Sequence, residues 1–136
     1  MLPTKPKLEL HRNDEEYSEQ KKLVLLIRNE LAPKYPILRW IYSTPNGAKL
    51  SHTTRTKVIN EGGNKAGIPD LFLPVRSPKY SGLYIEMKSK KGVLSIKQKE
   101  FKIFAESQGF KVIVPRSCDE ALREILTYCG LSMDIV

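Results

Sequence analysis

Residues 67–88 read GIPDLFLPVRSPKYSGLYIEMK, and the fold turns on how that stretch is paired. Residues 70–74 (DLFLP) and 83–88 (LYIEMK) are short runs rich in branched and aromatic side chains, and each is bounded by proline or glycine. That pattern predicts two strands. The segment between them is rich in Ser, Pro and Gly and is expected to turn the chain back on itself. If residue 74 pairs with residue 82 in an antiparallel hairpin, Asp70 falls directly opposite Glu86. Paired residues share a face of the sheet, with Cβ atoms about 5 Å apart. Glu86 and Lys88 are two apart along one strand, so they share that face with each other and with Tyr84, while Leu83, Ile85 and Met87 point into the core.

Working outward, Ser95 and Gln98 form a capping box that opens a helix, with Phe101, Phe104 and Ala105 as its inward stripe and Gly109 at its end. Residues 110–114 (FKVIV) predict a further strand. Ser117 and Glu120 predict a second capping box, and Ala121, Leu122, Ile125 and Leu126 an inward helical face that Gly130 closes. Upstream of the hairpin, residues 51–60 predict a short, weakly amphipathic helix carrying Arg55 and Lys57, and residues 61–67 (EGGNKAG) a loop. Residues 37–43 (ILRWIYS), branched and aromatic between Pro36 and Pro45, predict a strand, and Pro45-Asn46-Gly47 a turn. A first helix is expected from about Asn13 and Asp14, where Glu15 and Glu16 suit the positive end of the helix dipole. Leu23, Leu26, Ile27 and Leu31 continue it at helical spacing until Pro33 and Pro36. Glu19, four residues before Leu23, is expected on or beside the apolar face.

The resulting order, αβ(α)ββαβα, predicts an α/β domain with a mixed central sheet flanked by helices. Residues 13–130 are expected to form this single domain, residues 1–12 a flexible basic tail and residues 131–136 a short C-terminal tail. The sequence holds 23 Lys and Arg against 15 Asp and Glu, a net charge of +8, which suits a polyanionic partner. Cys118 and Cys129 lack redox-pair spacing, and His11 and His52 are the only imidazoles, so no zinc-ligand set is expected. Neither a membrane span nor a signal peptide is visible, and a cytoplasmic protein is the economical expectation.

The hairpin carries the chemistry. Taken singly, Asp70 would merely open a strand after Pro69, and Glu86 with Lys88 would be an ion pair worth under ~1 kcal/mol. Together they place two carboxylates where they repel, and a hard cation relieves such a conflict. Mg²⁺ takes oxygen ligands, commonly one or two carboxylates with waters and phosphate oxygens. An ion so held activates water, and a neighbouring ammonium offsets negative charge that develops on a phosphorane-like transition state. Phosphodiester hydrolysis is the chemistry this set suits. Two distant histidines exclude an HNH-type centre, and GGNKAG lacks the Lys-Ser/Thr ending of a P-loop.

Gly67-Ile68-Pro69-Asp70, fifteen intervening residues and then Glu86-Met87-Lys88 match the PD-(D/E)xK nuclease signature. With Pro45-Asn46-Gly47, the run NEGGNKAGIPDLFLP, GLYIEMKSKKG and Leu94-Ser95-Ile96-Lys97-Gln98, the chain resembles the stand-alone, phage-type VRR-NUC (virus-type replication-repair nuclease) domain over roughly residues 40–127. The resemblance implies a restriction-endonuclease-like fold and a Mg²⁺- or Mn²⁺-dependent endodeoxyribonuclease. Asp70, Glu86 and the Met87 backbone carbonyl would ligate the metal, Lys88 would be the catalytic lysine, and Gln98 would position substrate or lysine beside its capping role. The family also sets a glutamate of its first helix near the metal. Glu19 is the choice made from its inward face, with Glu15 and Glu16 as open alternatives. Lys65, Lys90, Lys91, Arg55 and Lys57 are the candidate contacts to the DNA backbone, and Asn46 to the lining of the site. The resemblance further implies a homodimer that cuts four-way (Holliday) junctions, in a bacterial host cytoplasm if phage-encoded. A flap or branched-DNA nuclease, or a non-catalytic nucleic-acid-binding module that kept the fold, are the competing expectations.

Overall fold

The computed structural model describes residues 7–44, 51–63 and 65–132, and for residues 7–14 the backbone alone. Within these, the order is α1 (Lys7–Leu26), a π-helical turn (Ile27–Leu31), a 3₁₀ turn (Pro36–Trp40), β1 (Tyr42–Ser43), α2 (His52–Asn60), β2 (Leu71–Leu73), β3 (Leu83–Ile85), α3 (Ile96–Ser107), β4 (Lys111–Ile113) and α4 (Cys118–Cys129). The four strands form one sheet in the order β1-β2-β3-β4. The first two pairings are antiparallel and the third is parallel. This is the mixed α/β class expected from the sequence. The chain divides into two compact units: residues 40–86 with 93–113, and residues 1–39 with 87–92 and 114–136.

The first of these units holds the sheet and α3. Its hairpin register is Leu71↔Ile85, Phe72↔Tyr84 and Leu73↔Leu83, the one inferred from pairing 74 with 82. Leu71, Leu73, Leu83 and Ile85 are at most 1% exposed, so one face of the hairpin is wholly buried. The opposite face is a row of rings: Tyr42 meets Phe72 at 5.9 Å and Phe72 meets Tyr84 at 4.5 Å between centroids. Phe101 of α3 packs edge-on against Tyr84 at 5.1 Å. Gly82 is needed here, since a Cβ on it would lie 2.8 Å from the Phe72 ring. Ser95 and Gln98 form the expected capping box at the start of α3.

The second unit is helical. Leu23, Ile27 and Leu31 from α1 and its π-turn are buried, as are Ala121, Leu122, Ile125 and Leu126 of α4. The two helices pack together, and each buried Leu or Ile contributes about 1.5–3 kcal/mol of hydrophobic stabilisation. Gly130 ends α4 in the left-handed conformation, at φ +68°.

Five local expectations are corrected. Phe104, expected on the inward stripe of α3, is 59% exposed, since it lies about 100° around the helix from the buried Ala105. The first helix begins at Lys7, not near Asn13; between Pro6 and Pro33 no proline or glycine stops it, so the helix runs back into the segment read as a tail. Residues 37–43 are not one strand. Pro36 opens a 3₁₀ turn that buries Leu38, and only Tyr42 and Ser43 pair with β2. β3 as a regular strand ends at Ile85, although Glu86 N–H still donates to the Ile113 carbonyl at 2.9 Å and Lys88 N–H to that of Pro115 at 3.0 Å. At α4, Ser117 accepts from the Glu120 N–H as expected, but the Glu120 carboxylate accepts from the N–H of Arg116, one residue before the cap.

Candidate active site

Continuing the β2–β3 register by one residue sets Asp70 against Glu86, two positions along from the Phe72–Tyr84 pair and on the same face as those rings. Thr44 completes the row on β1: its N–H donates to the Asp70 carbonyl at 2.8 Å and its hydroxyl to the Pro69 carbonyl. Glu86 is 4% exposed and Asp70 half-buried. A buried carboxylate beside a second one is costly to ionise unless a positive group attends it. Lys88 too is buried, at 5% exposure. Lys88 follows Glu86 by two residues, and its N–H donates to the Pro115 carbonyl at 3.0 Å.

The loop that leads into Asp70 is fixed against α3. Gly67 has φ +91°, and a Cβ there would lie 2.7 Å from the Lys97 carbonyl oxygen. Only glycine allows this approach. It sets the first turn of α3, which carries Gln98, against the segment entering β2. The Gln98 carbonyl oxygen accepts the Ser95 N–H at 2.8 Å, which leaves its NH₂ group as the part able to face a substrate.

The first-helix glutamates are separated by their contacts. Glu19 accepts from the Cys118 N–H at the start of α4, at 3.0 Å, and from the Lys22 ammonium at 2.9 Å. These bonds, the backbone one foremost, hold its carboxyl below the usual range. Glu15 accepts from the Lys90 N–H at 3.2 Å, beside the end of the strand that bears Lys88. Glu16, one heptad before Leu23, has a buried carboxylate oxygen. Arg55 and Lys57 lie on α2, which buries no side chain, and Lys65, Lys90 and Lys91 are exposed. Asn46 lies outside the described residues. Burial raises the pKa of both thiols, that of Cys129 to about 11, which disfavours the reactive thiolate.

Sequence reasoning missed Arg116. Its guanidinium Nη1 donates to the carbonyls of Ser89 at 2.8 Å, Gly92 at 2.5 Å and Lys90 at 3.3 Å, and so clamps the turn that presents Lys90 and Lys91. Those partners are 24 to 27 residues away in sequence, and no local pattern announces them.

The VRR-NUC domain family model matches residues 5–119. The chain belongs to the VRR-NUC domain family. A solved structure described as a VRR_NUC domain protein superimposes with a TM-score of 0.69 over 87% of this chain and 90% of that one, at 23% identity, which establishes a shared fold. No curated protein matches. The VRR-NUC domain is a nuclease-type fold, and nucleases of such folds use divalent metals. The donor set here fits that chemistry in part. Asp70 and Glu86, opposite one another by continuation of the register, offer hard oxygen ligands, while among the described residues no group of three or more His, Cys, Asp or Glu is placed to hold a metal ion. Among the described residues no helix is long and apolar enough to cross a membrane.

Proposed function

We propose that this VRR-NUC domain is a Mg²⁺- or Mn²⁺-dependent endodeoxyribonuclease that hydrolyses phosphodiester bonds in branched DNA, four-way junctions foremost, as a cytoplasmic homodimer. The observation that carries the reading is the β2–β3 register, which, continued one residue past Leu71↔Ile85, sets a half-buried Asp70 opposite a buried Glu86. These two carboxylates and the Met87 carbonyl would hold the ion, which when bound supplies a Lewis acid and a water of lowered pKa.

The remaining roles fall to the chain's own groups. The Lys88 ammonium orients the attacking water and offsets charge gathering on the non-bridging phosphate oxygens. The Gln98 NH₂ group positions the substrate or Lys88, and its carbonyl stays in the capping box. Of the first-helix glutamates, Glu19 is the candidate for the approach to the metal, with Glu15 and Glu16 as the alternatives. Lys65, Lys90, Lys91, Arg55 and Lys57 bind phosphates as exposed point charges. The Asn46 amide is a further candidate for the lining.

A dimer is supported by α3, whose Ile96, Ile103 and Phe104 are 76%, 71% and 59% exposed, with Val93 beside them at 74%. A two-fold axis near residues 99 and 100 would set Ile96 against the second copy's Ile103, and each Lys99 against the other copy's Glu100. Isologous contact of this kind presents two centres to a substrate of matching symmetry.

The test is incubation with four-way junction, flap, nicked and linear duplex DNA in Mg²⁺, Mn²⁺ or EDTA. Metal-dependent cutting of the junction is expected. Cutting of flaps alone would reject the junction preference, and tight binding without cutting in any metal would reject the enzyme in favour of a binding module.

A further inference from the structure

The same sheet face that carries Asp70 and Glu86 continues into aromatic rings, and the row ends in solvent. Tyr42, Phe72 and Tyr84 lie side by side across β1, β2 and β3, one same-face step from Thr44, Asp70 and Glu86. Two residues along a strand span about 7 Å. Phe72 and Tyr84 are covered by Phe110 and Phe101. Tyr42 is not: β1 is an edge strand, and Tyr42 stays 53% exposed although it sits within an aromatic cluster. Trp40, two residues before it, is 57% exposed. A ring more than half exposed, one same-face step from a half-buried Asp70 and a buried Glu86, calls for an occupant that an aromatic surface can hold.

Resting on the nuclease reading of the Asp70–Glu86 pair, we infer that Tyr42 is a stacking platform for an unpaired nucleobase of the strand whose phosphate lies at those carboxylates, with Trp40 two residues away in sequence as its reporter. A nucleotide has the required shape. Its phosphate is an anion for a chain of net charge +8, and its base offers a flat face about one sugar's length away. Stacking on Tyr or Trp is tolerant of base identity, because every base has a π-face. Such a platform selects DNA whose strands are open near the cleavage point and disfavours continuous duplex, where the bases are already stacked on one another. The ring takes no part in hydrolysis; Tyr42 is a substrate-positioning residue.

Trp40 is the single tryptophan of the chain, so the protein carries its own probe. The full chain is titrated in EDTA, where no cleavage occurs, with a short single-stranded oligonucleotide and with a duplex of the same length, following Trp40 emission and the anisotropy of a label on the DNA. Stacking predicts that the single strand quenches Trp40 emission at the concentration where anisotropy reports binding. It also predicts that Y42A weakens single-strand binding about tenfold while Y42F stays within about twofold. Unchanged emission at saturating single strand would overturn the inference. So would equal affinity for Y42A, or emission that varies with protein concentration in the absence of DNA, as an aromatic contact between two copies would produce. The titration is independent of catalysis. Cleavage in Mg²⁺ without quenching would remove the platform and leave the nuclease, whereas quenching without cleavage would do the reverse.

Discussion

Replacing Arg116 by alanine removes one cation from three carbonyl groups of a single turn. The Ser89 and Gly92 contacts, at 2.8 and 2.5 Å, are partly buried, and the Lys90 contact, at 3.3 Å, is exposed and long. A hydrogen bond to a charged group contributes about 1.5–3 kcal/mol net, and the exposed long one little. The freed carbonyls lie on a turn that water can reach, so the lower end applies to each of the two good bonds. The expected loss is therefore about 3 kcal/mol, or about 10 °C in melting temperature for a chain of this size. R116K keeps the charge but not the fork that reaches several carbonyls at once, and should recover less than half. Chemical denaturation of the wild type and both variants measures this directly. The Ser117 cap and the Glu120 bond to the Arg116 backbone N–H persist in all three, so helix α4 serves as its own control. A loss below about 0.5 kcal/mol in R116A would show that the turn holds itself and would refute the clamp.

Two further perturbations probe how the site is held. Glu19 has a depressed folded-state pKa because Cys118 N–H and Lys22 bond to its carboxylate. Its contribution is thus fully present above the unfolded value of 4.5 and is lost as pH falls through the lower folded value; E19Q should flatten the acid limb of the stability–pH curve, and an unchanged limb would contradict this assignment. Gly67 combines φ +91° with a close approach to the Lys97 carbonyl. G67A should destabilise by about 2 kcal/mol or more and move the loop entering β2, measurable by denaturation and by hydrogen exchange at Asp70; a variant as stable as wild type would show that the loop has another accessible path.

The elements legible in the sequence were those specified by neighbours. Pairing residue 74 with residue 82, the supposition that the turn-rich segment between two alternating strands invited, gives the register found at Leu71, Phe72 and Leu73. The Ser95–Gln98 cap and the Gly130 stop follow rules spanning a few residues. Where the reading failed, a competing local rule won. Pro36 favoured a 3₁₀ turn over the strand that Ile37, Trp40 and Tyr42 suggested, and helix propensity after Pro6 outweighed the basic, tail-like composition before Asn13. Contacts distant in sequence left no signal. Glu19 reaching Cys118, Glu15 reaching Lys90, and Arg116 reaching Ser89 and Gly92 each join segments that only the fold makes neighbours.

The central claim is that Asp70 and Glu86 form a metal-dependent hydrolytic centre with Lys88. The most direct measurement is the rate at which purified wild-type and D70N proteins cut a four-way junction in Mg²⁺, with junction binding measured in parallel without metal. Loss of a metal-ligating carboxylate should slow cleavage by about a thousandfold or more, a barrier increase of about 4 kcal/mol, while junction affinity without metal changes little. Undiminished cleavage by D70N would contradict the account.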